Sequence, residues 1–305
     1  MCVVATFYFK ILSILCTIFA QINIFIVVYD MGKIRLYWYN QEYNFGDMLN
    51  PLLFQKLFGV SVSRAKAARA ECMAIGSILD KVVTAKIKPI QKLQNIFKRP
   101  LKIWGSGFVA APSSNHTKLK RKLDIRAVRG TLSLGCLQQY VQKDLSDVVL
   151  GDPGLLASRL LDASKIEKKY ELGIIPHYVD AHSPLLKNIK VKNAIVIDVT
   201  APVEQTLLQI AQCKHVISSA MHGLIVADAF GIPNVRMVLS DKIAGGDYKF
   251  RDYYSAYDMD LPDKIIMTPE TKITDTKFIR DGYRVPYDKV QSICKELERV
   301  FPYKK

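Results

Sequence analysis

Short apolar runs alternate with amphipathic stretches along most of the chain, a pattern that reads as strands feeding helices. Residues 34–39 predict a strand, the turn-rich Asn44-Phe45-Gly46-Asp47 follows, and a helical pattern runs over 49–58. Further buried strands are expected at 72–75, 101–104 and 148–150. Each ends in a glycine turn: Gly76-Ser77, Gly105-Ser106-Gly107 and Gly151-Asp152-Pro153-Gly154. A second series starts beyond the polar stretch 162–171, with strands at 172–175 and 194–199 and a helix at 203–213 that carries Pro202 at its first turn. A strand at 215–218, a helix at 221–230 closed by Gly231, and a strand at 234–238 complete it, and a terminal helix over 287–301 is expected to pack back across a domain. Strands that end in Gly/Ser/Asp loops before helices indicate doubly wound sheets. The fold class is therefore α/β, with two Rossmann-like domains at 31–165 and 166–305. No short-period repeat occurs, which excludes a solenoid.

Residues 1–30 stand apart from this pattern. Up to Tyr29 they are almost continuously apolar, with Lys10 the one charge. Residues 11–29 come near the roughly 20 needed to cross a bilayer, though Gln21 and Asn23 interrupt them. No small-residue cleavage site follows. As an anchor, the segment would leave the rest of the chain on the cytoplasmic side, because Lys33 and Arg35 come directly after it. The other reading starts translation at Met31. Both place the protein in the cytoplasm, at the inner face of the membrane.

Composition narrows the class. Of 305 residues, 50% are hydrophobic and 23% charged, enough apolar material for a large core and incompatible with a disordered chain. The six cysteines include no C-x-x-C pair, so no zinc or thioredoxin-type motif is indicated, and a reducing compartment fits. The net charge of +15, from 43 Lys+Arg against 28 Asp+Glu, calls for an anionic partner. Residues 81–129 hold thirteen of those cations and one acid, Asp124. That run is expected to form a basic face suited to an anionic membrane surface or a lipid-pyrophosphate acceptor.

Four loops carry candidate chemistry. The segment from His215 to Asn234 is a buried strand ending in Ser218-Ser219, then a turn at Met221-His222-Gly223 into an apolar helix. That puts His222 and free backbone N–H groups at the carboxyl edge of a sheet, where anions bind and a histidine can move protons. Asn44–Pro51, read as 44–51, offers Asn44, Gly46 and Asp47 at the mouth of the first sheet. Arg126 and Arg129 flank a turn before Gly130, and Lys249, Arg251, Tyr253 and Tyr254 form a mixed cationic and aromatic stretch. Four such loops together point to a cleft between the two halves.

These segments resemble the polysaccharide pyruvyl transferase family. The resemblance rests on 44–51, Val128-Arg129-Gly130, Gly151-Asp152-Pro153, 218–233 and 249–254, with Ser218-Ser219-Ala220-Met221-His222-Gly223-Leu224-Ile225 its specific part. It implies a GT-B-like pair of domains and transfer of the enolpyruvyl-derived group of phosphoenolpyruvate onto a sugar diol of a surface polysaccharide or its lipid-linked repeat unit, with release of phosphate. No cofactor or metal is expected beyond phosphoenolpyruvate as donor. On this reading His222 is the general acid, or the base on the attacking hydroxyl, and Asp47 orients the acceptor. Arg129, Lys249 and Arg251 hold donor charge, while Asn44, Gly46, Ser218, Ser219 and Gly223 shape the binding site. The chain departs from the family in carrying Ala220 where many members have an arginine two residues before the histidine.

Two other readings compete. A GT-B glycosyltransferase would lay a nucleotide-sugar diphosphate on the helix beginning at Met221. A nucleic-acid-binding protein would explain the basic charge, but the run 81–129 interleaves only Phe97, Trp104 and Phe108 with its cations. His177 and His182 lie in a loop after a strand, where His177 could line the acceptor side. Asn115-His116-Thr117 fits a glycosylation sequon, which in the cytoplasm is only a loop.

Overall fold

Every main-sheet strand runs parallel to its neighbours, so each connection must cross back over the sheet through a helix or loop. The structure, a computed structural model, describes residues 32–90 and 98–303, so the hydrophobic segment 1–30 and its two readings lie outside the described residues. In chain order the first half contains β1 (Ile34–Tyr37), α1 (Phe45–Phe58), β2 (Val62–Arg64), β3 (Cys72–Met73), β4 (Val83–Thr84), β5 (Leu101–Trp104), β6 (Lys118–Leu119), β7 (Leu123–Val128), α2 (Thr131–Gln138) and β8 (Val149–Leu150). The second contains α3 (Ala157–Leu160), β9 (Tyr170–Ile175), β10 (Ala194–Val196), α4 (Val203–Ala211), β11 (Cys213–Ser218), α5 (Met221–Ala229), β12 (Asn234–Val238), α6 (Tyr248–Tyr254), β13 (Lys264–Ile266), α7 (Lys277–Gly282) and α8 (Tyr287–Arg299).

The six-stranded first sheet has the order β2-β1-β3-β5-β7-β8, and the five-stranded second sheet β10-β9-β11-β12-β13. In each, strand order reverses beside the first strand: between β1 and β3, and between β9 and β11. Connections leave in opposite directions at such a point and open a crevice at the carboxyl ends of the strands. Both sheets thus have the doubly wound form expected for a pair of Rossmann-like domains.

Several elements depart from the sequence reading. Helix α1 begins at Phe45 rather than 49, because Asn44 caps it: its side chain accepts from the Asp47 N–H at 3.0 Å. Pro51 sits inside this helix and cannot donate to the Asp47 carbonyl, so the Asn50 side chain does so instead at 3.0 Å. The same Asn50 side chain pairs with both backbone groups of Ile75, which ties α1 to the turn after β3. Pro202 caps α4 from just outside it rather than occupying its first turn. Residues 248–254, expected as a loop, are the helix α6.

Helix α8 packs back onto the first domain. The Trp104 indole donates to the Leu297 carbonyl at 3.0 Å, and Phe301 stacks on Phe58 with ring centroids 3.7 Å apart. One apolar core runs from Leu36, Phe54 and Trp104 through Leu155 and Ile225 to Val290 and Leu297, joining the two halves. Among the described residues, no helix is long and apolar enough to cross a membrane.

Candidate active site

Two helices begin at the two crevices and touch through their first turns. Helix α1 starts at the mouth of the first sheet and α5 at the mouth of the second, and their first turns meet in one cavity of about 170 Å³. Its wall is built from Asn44, Phe45 and Asp47 on α1, Gly76 and Ser77 after β3, His177 and Tyr178 after β9, Met221 and His222 on α5, and Lys249 on α6. The backbone N–H of Phe45 donates to the Val199 carbonyl at 2.8 Å, which pins the start of α1 to the second domain. With two helix N-termini aimed at it, the cavity has a positive field before any side chain contributes.

The His222 ring lies over Gly46, where any β-carbon would overlap it. Its Nε2 is buried and has no hydrogen-bond partner among the described residues. Burial, with the charges of Lys249 and Arg129 adding to it, holds the imidazole down at about 3, so it is neutral. Asp47 moves the other way. Burial raises its carboxyl to about 7, against the opposing hydrogen bond from Asn44, and Asp152 adds repulsion. Asp152, at the mouth of β8, is itself raised to about 6 by burial.

Lys249 is almost fully buried and faces the cavity, with no carboxylate at ion-pair distance among the described residues. Burial lowers it to about 8, and the nearby Arg129 and Arg236 push in the same direction. His177 is lowered to about 4 by burial and by Lys249. Its backbone N–H donates to the Ser219 hydroxyl at 2.8 Å.

Of the residues singled out from sequence, the structure brings Asn44, Asp47, His222 and Lys249 into the wall, with Gly46 directly behind His222. Arg129 is not among them. Its guanidinium is wholly buried one layer back, donating to Asp252 at 2.9 Å and to Ser77 and the Phe108 carbonyl. Arg251 lies on the exposed face of α6, two positions from the inward Lys249. Ser218 braces the turn into α5, donating to the Ile175 carbonyl at 2.9 Å and accepting from the Ala220 N–H. Gly223 packs so closely on Ser218 and Ile175 that a β-carbon would collide with them. Both shape the loop and neither lines the cavity. Residues that sequence reasoning passed over are Ser77, Tyr39 and Tyr178. Ser77 carried a usable signal, since Gly76-Ser77 ends a strand just as the singled-out loops do.

The family described as Polysaccharide pyruvyl transferase matches residues 76–241, more than half the chain. The chain belongs to this family. It is therefore a transferase, and the matched region of this pyruvyl transferase family member runs from the turn after β3, through Arg129 and His222, to the loop after β12. The chain is 30% identical over 231 residues to the uncharacterized protein L143 of Acanthamoeba polyphaga mimivirus, covering 74% of this chain and 75% of that one. It is 27% identical over 218 residues to the succinoglycan biosynthesis protein ExoV of Rhizobium meliloti, covering 71% of this chain and 62% of the relative. Among solved structures, the wall teichoic acid polymerase TagF aligns over 88% of this chain and 83% of its own, at 11% identity and a TM-score of 0.38. The family member's cavity wall mixes a neutral histidine, a carboxyl raised to about 7 and a buried lysine. No group of three or more His, Cys, Asp or Glu side chains arranged to hold a metal occurs among the described residues.

Proposed function

We propose that the protein transfers the enolpyruvyl-derived group of phosphoenolpyruvate onto a sugar diol of a polysaccharide or its lipid-linked repeat unit. The observation that carries this reading is the convergence of two helix N-termini and Lys249 on a cavity of about 170 Å³. Two helix N-termini and a buried lysine around one cavity suit a compact anion. The donor's phosphate and carboxylate would take the Gly46 N–H, the Met221 and His222 N–H groups at the start of α5 and the Lys249 ammonium. Lys249 stands where it can replace the arginine that Ala220 lacks, and Arg129 adds field from behind the wall.

Ketal formation needs a proton on the donor's methylene carbon and the loss of protons from two acceptor hydroxyls. The opposed environments of Asp47 and His222 divide those tasks. Asp47, raised to about 7, keeps the proton that goes to the methylene carbon and leaves an oxocarbenium-like centre at C2. His222, neutral, accepts the proton of the first hydroxyl as its oxygen bonds to C2. The second hydroxyl oxygen then displaces phosphate, which leaves with that hydroxyl's proton, and the proton on His222 restores Asp47. One proton thus ends in the new methyl group and one on phosphate.

The test is phosphate release from phosphoenolpyruvate with lipid-linked repeat units as acceptors, together with detection of the ketal methyl group in the product. Thermal protection by UDP or CMP, with none by phosphoenolpyruvate, would sink this reading in favour of a nucleotide-sugar donor.

A further inference from the structure

Part of the basic run 81–129 gathers at one hollow of the first sheet. Arg129 is buried, Lys81 pairs with Asp80 at 2.7 Å, and Arg126 pairs with Asp124 at 2.7 Å. Four other cations of the run, with two from earlier in the chain, surround a cavity of about 640 Å³ at the amino-terminal edge of the first sheet. It opens beside the starts of β1, β3, β5 and β7, the edge opposite the one where α1 begins. Arg35, Arg69, Lys98, Arg99, Lys102 and Arg121 line it. Glu71 is the one acid in the wall, and Arg35 already engages it, at 3.4 Å side chain to side chain and through its backbone N–H at 2.9 Å.

Arg121 and Tyr303 show that this wall is built rather than merely solvated. The Arg121 guanidinium is fixed by donating to the Ala70 carbonyl at 2.9 Å and to the Arg99 carbonyl, yet its Nε is buried without a partner among the described residues. The Tyr303 hydroxyl is likewise buried with no partner among the described residues, while Lys102 sits 3.8 Å from the centre of its ring. A concave surface with so many cations and a single, already paired acid repels itself unless an anion neutralises it. Guanidinium forks in such a hollow match the oxygens of a phosphate.

We infer that this cavity is a second anion site, distinct from the transferase cavity, that takes a phosphate-bearing ligand: either the headgroup of an anionic phospholipid or a soluble pyrophosphate. The inference stands whether or not phosphoenolpyruvate is the donor.

Binding is measured on the full chain with two probes: inorganic pyrophosphate, by calorimetry, and vesicles of phosphatidylglycerol against phosphatidylcholine, by co-sedimentation. The test variant is Arg69→Glu with Lys98→Glu, two exposed positions, its folding checked by circular dichroism. Lys249→Ala reports on the other cavity, and Lys187→Glu serves as a remote charge control. The expected result is binding to pyrophosphate or to phosphatidylglycerol vesicles that weakens about tenfold or more in the double variant, as lost charge-assisted contacts imply, and is kept in the two controls. Pyrophosphate binding alone assigns a soluble ligand, and vesicle binding a lipid headgroup. The inference is overturned if neither probe binds, if the double variant binds as well as the parent, or if Lys249→Ala is what removes the binding.

Discussion

The His222 imidazole rests on the backbone of Gly46, each residue being the second in its helix, so the first turns of α1 and α5 touch across the two domains. Nothing larger than hydrogen fits on Gly46, since a β-carbon would overlap the imidazole Nδ1 and Cγ. This contact sets how far apart Asp47 and His222 stand, and the candidate site depends on it.

Gly46→Ala should therefore displace His222 while leaving both sheets intact. Misplacing a catalytic group by about 1 Å lowers turnover on the order of a hundredfold. The expected outcome is that loss in kcat with an unchanged circular dichroism spectrum. Full activity in Gly46→Ala would remove His222 from the chemistry.

The opposed shifts of Asp47 and His222 fix a pH profile. The proposed mechanism works with Asp47 protonated and His222 neutral, so kcat/KM should hold across mildly acidic pH and fall as pH rises through about 7, the raised value of Asp47. Asp47→Asn should lose activity by about a hundredfold or more and lose that limb of the profile. Stability follows the same linkage. An acid whose folded value lies above its unfolded one makes the fold less stable as pH rises from the ordinary carboxylate range through the raised value. Asp47→Asn should accordingly raise the Tm at pH 8, with the gain gone at pH 4. A Tm gain that does not change with pH would refute the shift.

Lys249 lies in the cavity wall, where the proposed function gives it the donor's charge to hold, so Lys249→Ala should act mainly on donor binding. The expected change is a rise of about tenfold or more in KM for phosphoenolpyruvate, with a smaller change in kcat, as removal of a charge-assisted contact predicts. Since burial lowers Lys249 to about 8, donor KM in the parent should climb as pH passes that value. Steady-state kinetics across pH separate this limb, in KM, from the Asp47 limb.

Arg129 acts one layer back, and its removal should show first in stability. Arg129→Ala strands Asp252 as a buried carboxylate whose remaining partners are the Ser133 hydroxyl and N–H. Breaking a buried pair in this way destabilises by about 3–5 kcal/mol. At about 2–4 °C per kcal/mol, the Tm should drop on the order of 10 °C, measured by differential scanning calorimetry. A Tm within a degree or so of the parent would show that the pair does not hold α6 to the first domain.

What the sequence determined by itself is local. The Ser218-to-Gly223 turn into α5 and the apolar runs of β5 and β12 follow from periods and turn chemistry within a few residues, and their observed positions agree with that reading, whereas the start of α1 was set four residues earlier by the Asn44 cap. Strands of two or three residues such as β2 and β13 are too short to show a period, and α6 has aromatic and charged residues that mask its helical phase. Tertiary structure alone decided which side chains face the cavity. Within one turn of α6, Lys249 points in and Arg251 out, a distinction of helix phase that residue type does not encode. Arg129 looked like a donor ligand until Asp252, 123 residues away, folded against it, and a buried guanidinium cannot remain unpaired. The abutment of Gly46 and His222 likewise exists only once two sheets, each locally legible, dock with their strand-order reversals face to face, because docking is set by the shared core and not by either segment.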